Sequence, residues 1–276
     1  AIGYEALKAA ATSDYNTAIG YQSLLAANGD GNQGNTALGY QSGLAVTSGT
    51  GNTLLGYQVG KTISTSTKNT IVGSFAGYNT AAASGSTFLG YEAGKTVTTG
   101  NQNIAIGYDS MNGGTTTGDN NIAIGVSALD AITSGADNIA IGRDALGASV
   151  AGNENLAIGK SALKIFANAS GNANIAIGNN AMDSANSDMS RNVAIGYSAL
   201  NAANHDDADG NVVVGSYAAP SLTTGAYNTF IGDGSGYTAT TVGYVVAVGQ
   251  NAGRGALTSD ANGSIFIGAD SGYKVT

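Results

Sequence analysis

The 276-residue chain carries 10 Lys and Arg against 18 Asp and Glu, a formal net charge of −8, and only 10% of its residues are charged. Such a surface offers no basic stripe to nucleic acid and no Lys/Arg cluster to anionic lipid. With no Cys there are no disulfides and no thiolate metal sites, and no apolar run reaches the ~18 residues that a membrane-spanning helix needs.

From the N-terminus, Ala1-Ile2-Gly3 opens in mid-repeat, and an aliphatic residue followed by glycine then recurs at Gly20, Gly39, Gly56, Gly73, Gly90, Gly107, Gly125, Gly142, Gly159, Gly178, Gly196, Gly215, Gly232, Gly249 and Gly268. These sixteen glycines lie 17, 18 or 19 residues apart. So short a unit cannot enclose a core, and each copy is therefore one rung of a stacked array. No composition break interrupts the repeat, which predicts one solenoid domain over residues 1–276. It is expected to be a segment of a longer chain whose signal, anchor or tip lies outside it.

With the repeat glycine as position 0, position −1 is Ile, Leu or Val in all sixteen copies, and −4 is Asn in twelve of fifteen, as at Asn16, Asn35, Asn103, Asn138 and Asn211. Position −3 is Thr, Ile, Leu or Val. The segment Asn-(Thr/Ile)-(Ala/Phe/Leu)-Ile-Gly predicts a short strand opened by a turn former and closed by a glycine at a corner that a Cβ would block. Tyr recurs at +1 (Tyr4, Tyr21, Tyr40, Tyr57, Tyr91, Tyr108, Tyr197), and +3 is nearly always Ala or Ser. Residues +5 to +8 read as a second strand, as in Lys61-Thr62-Ile63-Ser64 and Lys95-Thr96-Val97-Thr98. A Gly/Asn/Asp/Ser-rich loop then leads to the next Asn and absorbs the length differences.

Positions −2 and +4 exchange volume. Ala at −2 accompanies Leu or Met at +4, as in Ala18 with Leu24, Ala105 with Met111 and Ala140 with Leu146, whereas Leu54, Ile71, Phe88, Phe230 and Phe266 accompany Gly60, Gly77, Gly94, Gly236 and Gly272. Only Ala37 with Gly43 and Ala247 with Gly253 are small at both. Close-packed interiors punish voids and overpacking alike, so the two side chains are expected to share one buried space. Strand neighbours alternate faces, so −1 and −3 then point the other way. That second apolar face is expected to meet the same strand of another copy of the chain.

The strings Asn35-Thr36-Ala37-Leu38-Gly39-Tyr40-Gln41-Ser42, Asn103-Ile104-Ala105-Ile106-Gly107-Tyr108 and Asn192-Val193-Ala194-Ile195-Gly196-Tyr197-Ser198-Ala199-Leu200 resemble the YadA-like head repeats of trimeric autotransporter adhesins. They are similar also to repeats of phage tail-fibre and other surface proteins that end in an endosialidase-type chaperone. The resemblance covers the whole chain. It implies a left-handed parallel β-roll, with three chains side by side as a homotrimer and the Asn-x-Ala-Ile-Gly strand lining the trimer. A hexapeptide acyltransferase helix would show three aliphatic turns per rung, and a calcium-binding roll needs Gly-Gly-x-Gly-x-Asp, which does not occur.

Residues for catalysis are scarce, and no catalytic, cofactor or metal site is expected. His205 is the single histidine and sits with Asp206, Asp207 and Asp209, where a cation site or acid/base pair competes with a plain solvated loop. The acids at +2 (Glu5, Glu92, Asp109, Asp144, Asp270) pair with nothing regular in the sequence. Asn168-Ala169-Ser170 and Asn262-Gly263-Ser264 match the glycosylation sequon. The Asn series at −4 reads as a ladder bonded along the stack. The Tyr series at +1 reads as a shield over the corner or, if exposed, as a sugar- or protein-binding stripe. The leading expectation is a non-catalytic, extracellular fibre or adhesin segment at a cell or virion surface, engaging a cell-surface receptor or matrix component, with no nucleic-acid partner and no membrane contact of its own. Receptor contact is expected at loops such as Asn28-Gly29-Asp30-Gly31, Asn186-Ser187-Asp188 and Asn204-His205-Asp206-Asp207. The alternatives are a purely structural filament or sheath subunit, an ice-binding solenoid and a virion-bound depolymerase.

Overall fold

The computed structural model describes residues 1–10, 13–29, 31–164, 171–184, 189–203, 207–255, 257 and 259–273. The chain forms two compact units, Ala1–Asp137 and Asn138–Thr276. Each is a parallel β-solenoid, about 14 turns in all, and the described residues contain no α-helix. In the first unit the strands are Thr17–Ile19, Thr36–Leu38, Thr53–Leu55, Thr70–Val72, Thr87–Leu89, Ile104–Ile106 and Ile122–Ile124. In the second they are Ile139–Ile141, Leu156–Ile158, Ile175–Ile177, Val193–Ile195, Val212–Val214, Thr229–Ile231, Val246–Val248 and Ile265–Ile267. Each of these strands is three residues long and occupies −3 to −1 of its rung. Like positions face like across the ladder, as in Leu54↔Ile71 and Ile71↔Phe88. A small extra ladder pairs Ser13–Asp14 with Gly31–Asn32 in parallel.

The alternation of the strand fixes what lies inside. Position −2 is fully buried at Ala18, Leu54, Ile71, Phe88, Ala140 and Phe230, and so are +4 at Leu24, Met111 and Leu146 and +7 at Val46, Ile63 and Val97. The volume exchange has its cause here: a Cβ added to Gly94 would stand 2.5 Å from Cδ1 of Phe88, and one added to Gly60 would stand 3.1 Å from Cδ2 of Leu54. The doubly small pair Ala37 and Gly43 leaves no void either. The space beside Gly43 is taken by Leu54 and Leu24 of the flanking rungs, 2.7 and 2.9 Å from where its Cβ would be.

Among the described residues the second strand expected over +5 to +8 does not form. Lys61–Ser64 and Lys95–Thr98 run through turns and bends, with a single isolated bridge between Val97 and Thr116. The reason is backbone handedness. Positions +2 and +4 both take positive φ even when they are not glycine, as at Gln22 (54°), Leu24 (48°), Gln58 (48°), Leu129 (50°) and Leu146 (48°). Hydrogen bonds therefore alternate in direction. The +2 amide bonds to the preceding rung (Gln41 N to Tyr21 O, 2.8 Å), and +4 and +6 bond to the following one (Gly43 N to Val59 O, 3.0 Å; Ala45 N to Lys61 O, 3.1 Å). The +7 amide folds back within its own rung (Val46 N to Gly43 O, 3.1 Å). The β-branched residues at +6 and +7 thus serve a turn whose backbone partners lie above and below, and local propensity yields to packing.

The Asn residues at −4 form the expected ladder, and it is buried. The side-chain oxygen of Asn52 accepts from both the backbone amide and the side-chain amide of Asn69 (3.1 Å each), and the Asn52 amide donates to Oδ1 of Asn35 (3.0 Å) and to the Ser66 carbonyl (2.9 Å). A carboxamide supplies two donors and two acceptor sites on one short stem, which neither Asp nor Leu can match in this setting. Asn52→Ala leaves the Asn69 amide and the Ser66 carbonyl buried without these partners. At about 1–3 kcal/mol for each orphaned group, the expected loss is about 3 kcal/mol, measured by denaturant unfolding.

Candidate functional site

What the rungs leave outside falls into three stripes, each set by one repeat position. The first is the outward strand face, built from −3 and −1. In the first unit it carries Thr17, Thr36, Thr53, Thr70 and Thr87 at −3, with Ile taking over at Ile104 and Ile122. Beside them Ile19, Leu38 and Leu89 at −1 are 38%, 45% and 47% exposed. In the second unit Ile141, Val212 and Ile231 are likewise open. Isolated exposed aliphatics are ordinary, but a row repeated at every rung is a contiguous apolar strip.

The second stripe is aromatic. Tyr4, Tyr21, Tyr40 and Tyr57 stack in sequence with ring centroids 5.3, 5.2 and 5.2 Å apart and planes within 14°, and Tyr91 stacks on Tyr108 at 5.3 Å. The rung between Tyr57 and Tyr91 has Ser74 at +1. Phe75 at +2 fills the gap, edge-on to Tyr57 at 5.3 Å and to Tyr91 at 6.2 Å. The rings are half-buried, and their faces are turned to one another along the stack, so edges and hydroxyls face the solvent. A sugar-stacking platform needs free faces, and this ladder presents none between its members. The Glu92 carboxylate bonded to Tyr91 pushes that phenol above the ordinary tyrosine range.

The third stripe is polar and regular, contrary to the expectation that the +2 acids pair with nothing regular. Glu5 accepts from Gln22 (2.8 Å), Gln22 from Gln41 (2.9 Å) and Gln41 from Gln58 (2.8 Å), one rung to the next. Within a rung, +2 meets +5: Glu92 pairs with Lys95 at 2.9 Å, and Asn112 donates to Asp109 at 3.1 Å. In the second unit Asn251 donates to Asp270 at 3.1 Å, and Asp144 lies 3.6 Å from Arg143. The first partner of Glu5 is Lys8, then Gln22, and together they hold its carboxyl below the usual carboxylate range. The left-handed backbone at +2 and +4 brings +2 and +5 together, which the sequence conceals.

A further ladder went unforeseen at −6, where a short polar side chain accepts from a backbone amide of the preceding rung. Asn101 Oδ1 accepts from Ser84 N (2.9 Å), Asn172 Oδ1 from Asn153 N (2.8 Å), and Asp209 Oδ1 from Ser190 N (2.6 Å). This places Asp209, singled out with His205, in a structural role, with Arg191 3.2 Å from its other oxygen. It also places Asn262 of the second sequon, whose Oδ1 accepts from Gly243 N at 2.7 Å. His205 and Asp206, the sequon at 168–170, the loop 186–188, Asn204 and Asp30 lie outside the described residues. Among the described residues no three His, Asp or Glu side chains converge as a metal site, and no helix is long and apolar enough to cross a membrane.

One carboxylate stands apart. Asp183 at +5 is half-buried, and its Oδ1 has no hydrogen-bond partner. Burial pushes its carboxyl up, Lys164 and Lys160 oppose that rise and Asp144 adds to it. The folded-state value is the higher, so the folded chain holds a proton that the unfolded chain has already released. Stability therefore falls as pH rises from the ordinary Asp range through the raised value, and is level above it. Asp183→Asn is expected to melt above the parent at neutral pH and to lose that advantage in acid below the Asp range, as read from melting curves across pH.

Along the described residues the three stripes form one repeating surface, each fixed by a repeat position. No known family and no curated protein matches the chain.

Proposed function

We propose that the chain is a non-catalytic segment of an extracellular fibre or adhesin, a left-handed roll of sixteen rungs assembled side by side as a homotrimer, that spaces or presents an attachment surface. The observation that carries this reading is the outward −3/−1 face: the chain's own core uses −2, +3, +4 and +7, and leaves a strip of Ile, Leu, Val and Thr repeated at every rung. A strip of one composition, present identically on every copy, suits a symmetric self-interface better than a varied partner. The resemblance of the Asn-x-Ala-Ile-Gly strings to trimeric adhesin head repeats points the same way. With that face taken up between copies, the turns and return loops face outward, and rigid scaffolds commonly carry recognition on such loops.

The test joins assembly to attachment. Ile106→Asp together with Ile124→Asp puts charge on the strip at adjacent rungs while leaving Ala105 and Ala123 in the core. The doubly substituted chain is expected to keep its β circular dichroism, to sediment as a smaller species than the parent, and to lose avidity for cells or matrix that the parent binds. Unchanged sedimentation would remove the strip from the interface. Loss of avidity without dissociation would move recognition onto the strip itself.

A further inference from the structure

We propose that the tyrosine ladder is a site of oxidative modification, at which a one-electron oxidant of the peroxidase class joins neighbouring rungs through dityrosine bonds. The proposal does not rest on the adhesin reading. Three observations carry it. Tyr4, Tyr21, Tyr40 and Tyr57, and separately Tyr91 and Tyr108, hold their rings 5.2–5.3 Å apart and nearly parallel, one per rung. Each of these tyrosines is between 41% and 65% exposed, within reach of a diffusing oxidant. Finally, the side chains that yield electrons before tyrosine are missing or shielded: the chain has no Cys and no Trp, and its three Met residues, Met111, Met182 and Met189, are fully buried. A phenoxyl radical formed on this ladder has another tyrosine as its nearest oxidisable neighbour.

The chemistry balances. Each of two adjacent phenols gives up one electron and its hydroxyl proton, and the two phenoxyl radicals couple through ortho carbons to form one C–C bond. The two displaced ring hydrogens then move to the oxygens as both rings regain aromaticity. Two hydrogen atoms leave per bridge, and one molecule of hydrogen peroxide accepts them to become two of water. Coupling asks the rings to turn from face-to-face towards edge-to-edge, a rotation towards the solvent to which these tyrosines are exposed. The backbone supplies proximity, because partners 17 to 19 residues apart in sequence are already adjacent in the fold. Phe75 sets a limit: it lies between Tyr57 and Tyr91 but has no phenol, so no bridge is expected to cross that rung. In the second unit Tyr227 and Tyr244, stacked at 5.4 Å, repeat the arrangement.

The experiment treats the full chain in dilute solution with a peroxidase and hydrogen peroxide, using an equal mixture of isotopically heavy and light copies. The expected products show dityrosine fluorescence, a loss of two hydrogens per bridge, and linked peptides joining Tyr4 to Tyr21, Tyr21 to Tyr40, Tyr40 to Tyr57 and Tyr91 to Tyr108 within single chains. They should form at least about tenfold faster than in urea-unfolded chain. Tyr40→Phe keeps a ring in the stack, and is expected to abolish the two bridges through that position while sparing Tyr4 to Tyr21 and Tyr91 to Tyr108. Bridges that join heavy to light copies, an equal rate in urea, or hydroxylated tyrosines in place of linked ones would each overturn the proposal.

Discussion

Phe88→Ala and Gly94→Leu are each expected to damage the fold, and the double variant to recover most of it. Phe88 is fully buried with its ring against Gly94. Truncating it opens a cavity in a core that relaxes only in part, at a cost of about 3–5 kcal/mol. Gly94→Leu alone drives a side chain into the Phe88 ring, since even its Cβ would stand 2.5 Å from Cδ1, and overpacking of this kind costs about 1–3 kcal/mol or more. Together the substitutions recreate the Ala/Leu pairing found at Ala18 with Leu24, Ala123 with Leu129 and Ala140 with Leu146. The backbone accepts Leu there: φ at Gly94 is 61°, and Leu24, Leu129 and Leu146 sit at 48–50°. The double variant should fall within about 1.5 kcal/mol of the parent, as volume-conserving exchanges do, with a favourable coupling of about 3 kcal/mol in the cycle. Additive losses in denaturant unfolding would show that −2 and +4 do not share a space.

Gly90→Ala is expected to cost about 4 kcal/mol or more, with no nearby substitution that rescues it. At Gly90 φ is 141°, a region that residues with a Cβ avoid, and the added carbon would stand 2.5 Å from the Gly107 carbonyl oxygen of the next rung. Strain at such a φ contributes about 1–3 kcal/mol. The remainder comes from prising two rungs apart, because the obstacle is backbone and cannot rotate away. Stacked repeats are stabilised mainly by nearest-neighbour interfaces, so the damage should appear as faster hydrogen exchange in the strands Thr87–Leu89 and Ile104–Ile106 ahead of distant rungs. Uniform exchange along the chain, or a loss below about 1 kcal/mol, would contradict the corner role.

The parts of the fold that recur at fixed spacing were legible in the sequence. The three-residue strand, the corner glycine, the buried Asn ladder and the −2/+4 exchange each leave a residue-type signature at a constant offset. Three things were not legible, each for a physical reason. Lys61–Ser64 and Lys95–Thr98 look like strands because Thr, Ile and Val favour extended backbone, yet the positive φ of Gln58, Leu24 and Leu146 is invisible when the residue is not glycine. The side-chain partners of Glu5, Glu92 and Asp109 include +5 of the same rung and +2 or +5 of the next, and only that left-handed turn makes those offsets neighbours. The −6 caps are spread over Asn, Asp and Ser, so no single residue type marks them. For the outward surface, the sequence revealed where tyrosines recur but not the spacing and near-parallel orientation of their rings, which depend on the rung-to-rung distance of the folded stack.

In the assembly proposed above, the −2/+3/+4/+7 core is complete within one chain and the −3/−1 strip is completed by two others. Sedimentation equilibrium of the unmodified chain tests it most directly. The proposed trimer is expected to sediment as a single species of three times 27.1 kDa, persisting on dilution. A stable, soluble monomer of 27.1 kDa, with Ile19, Leu38 and Leu89 open to water, would contradict it.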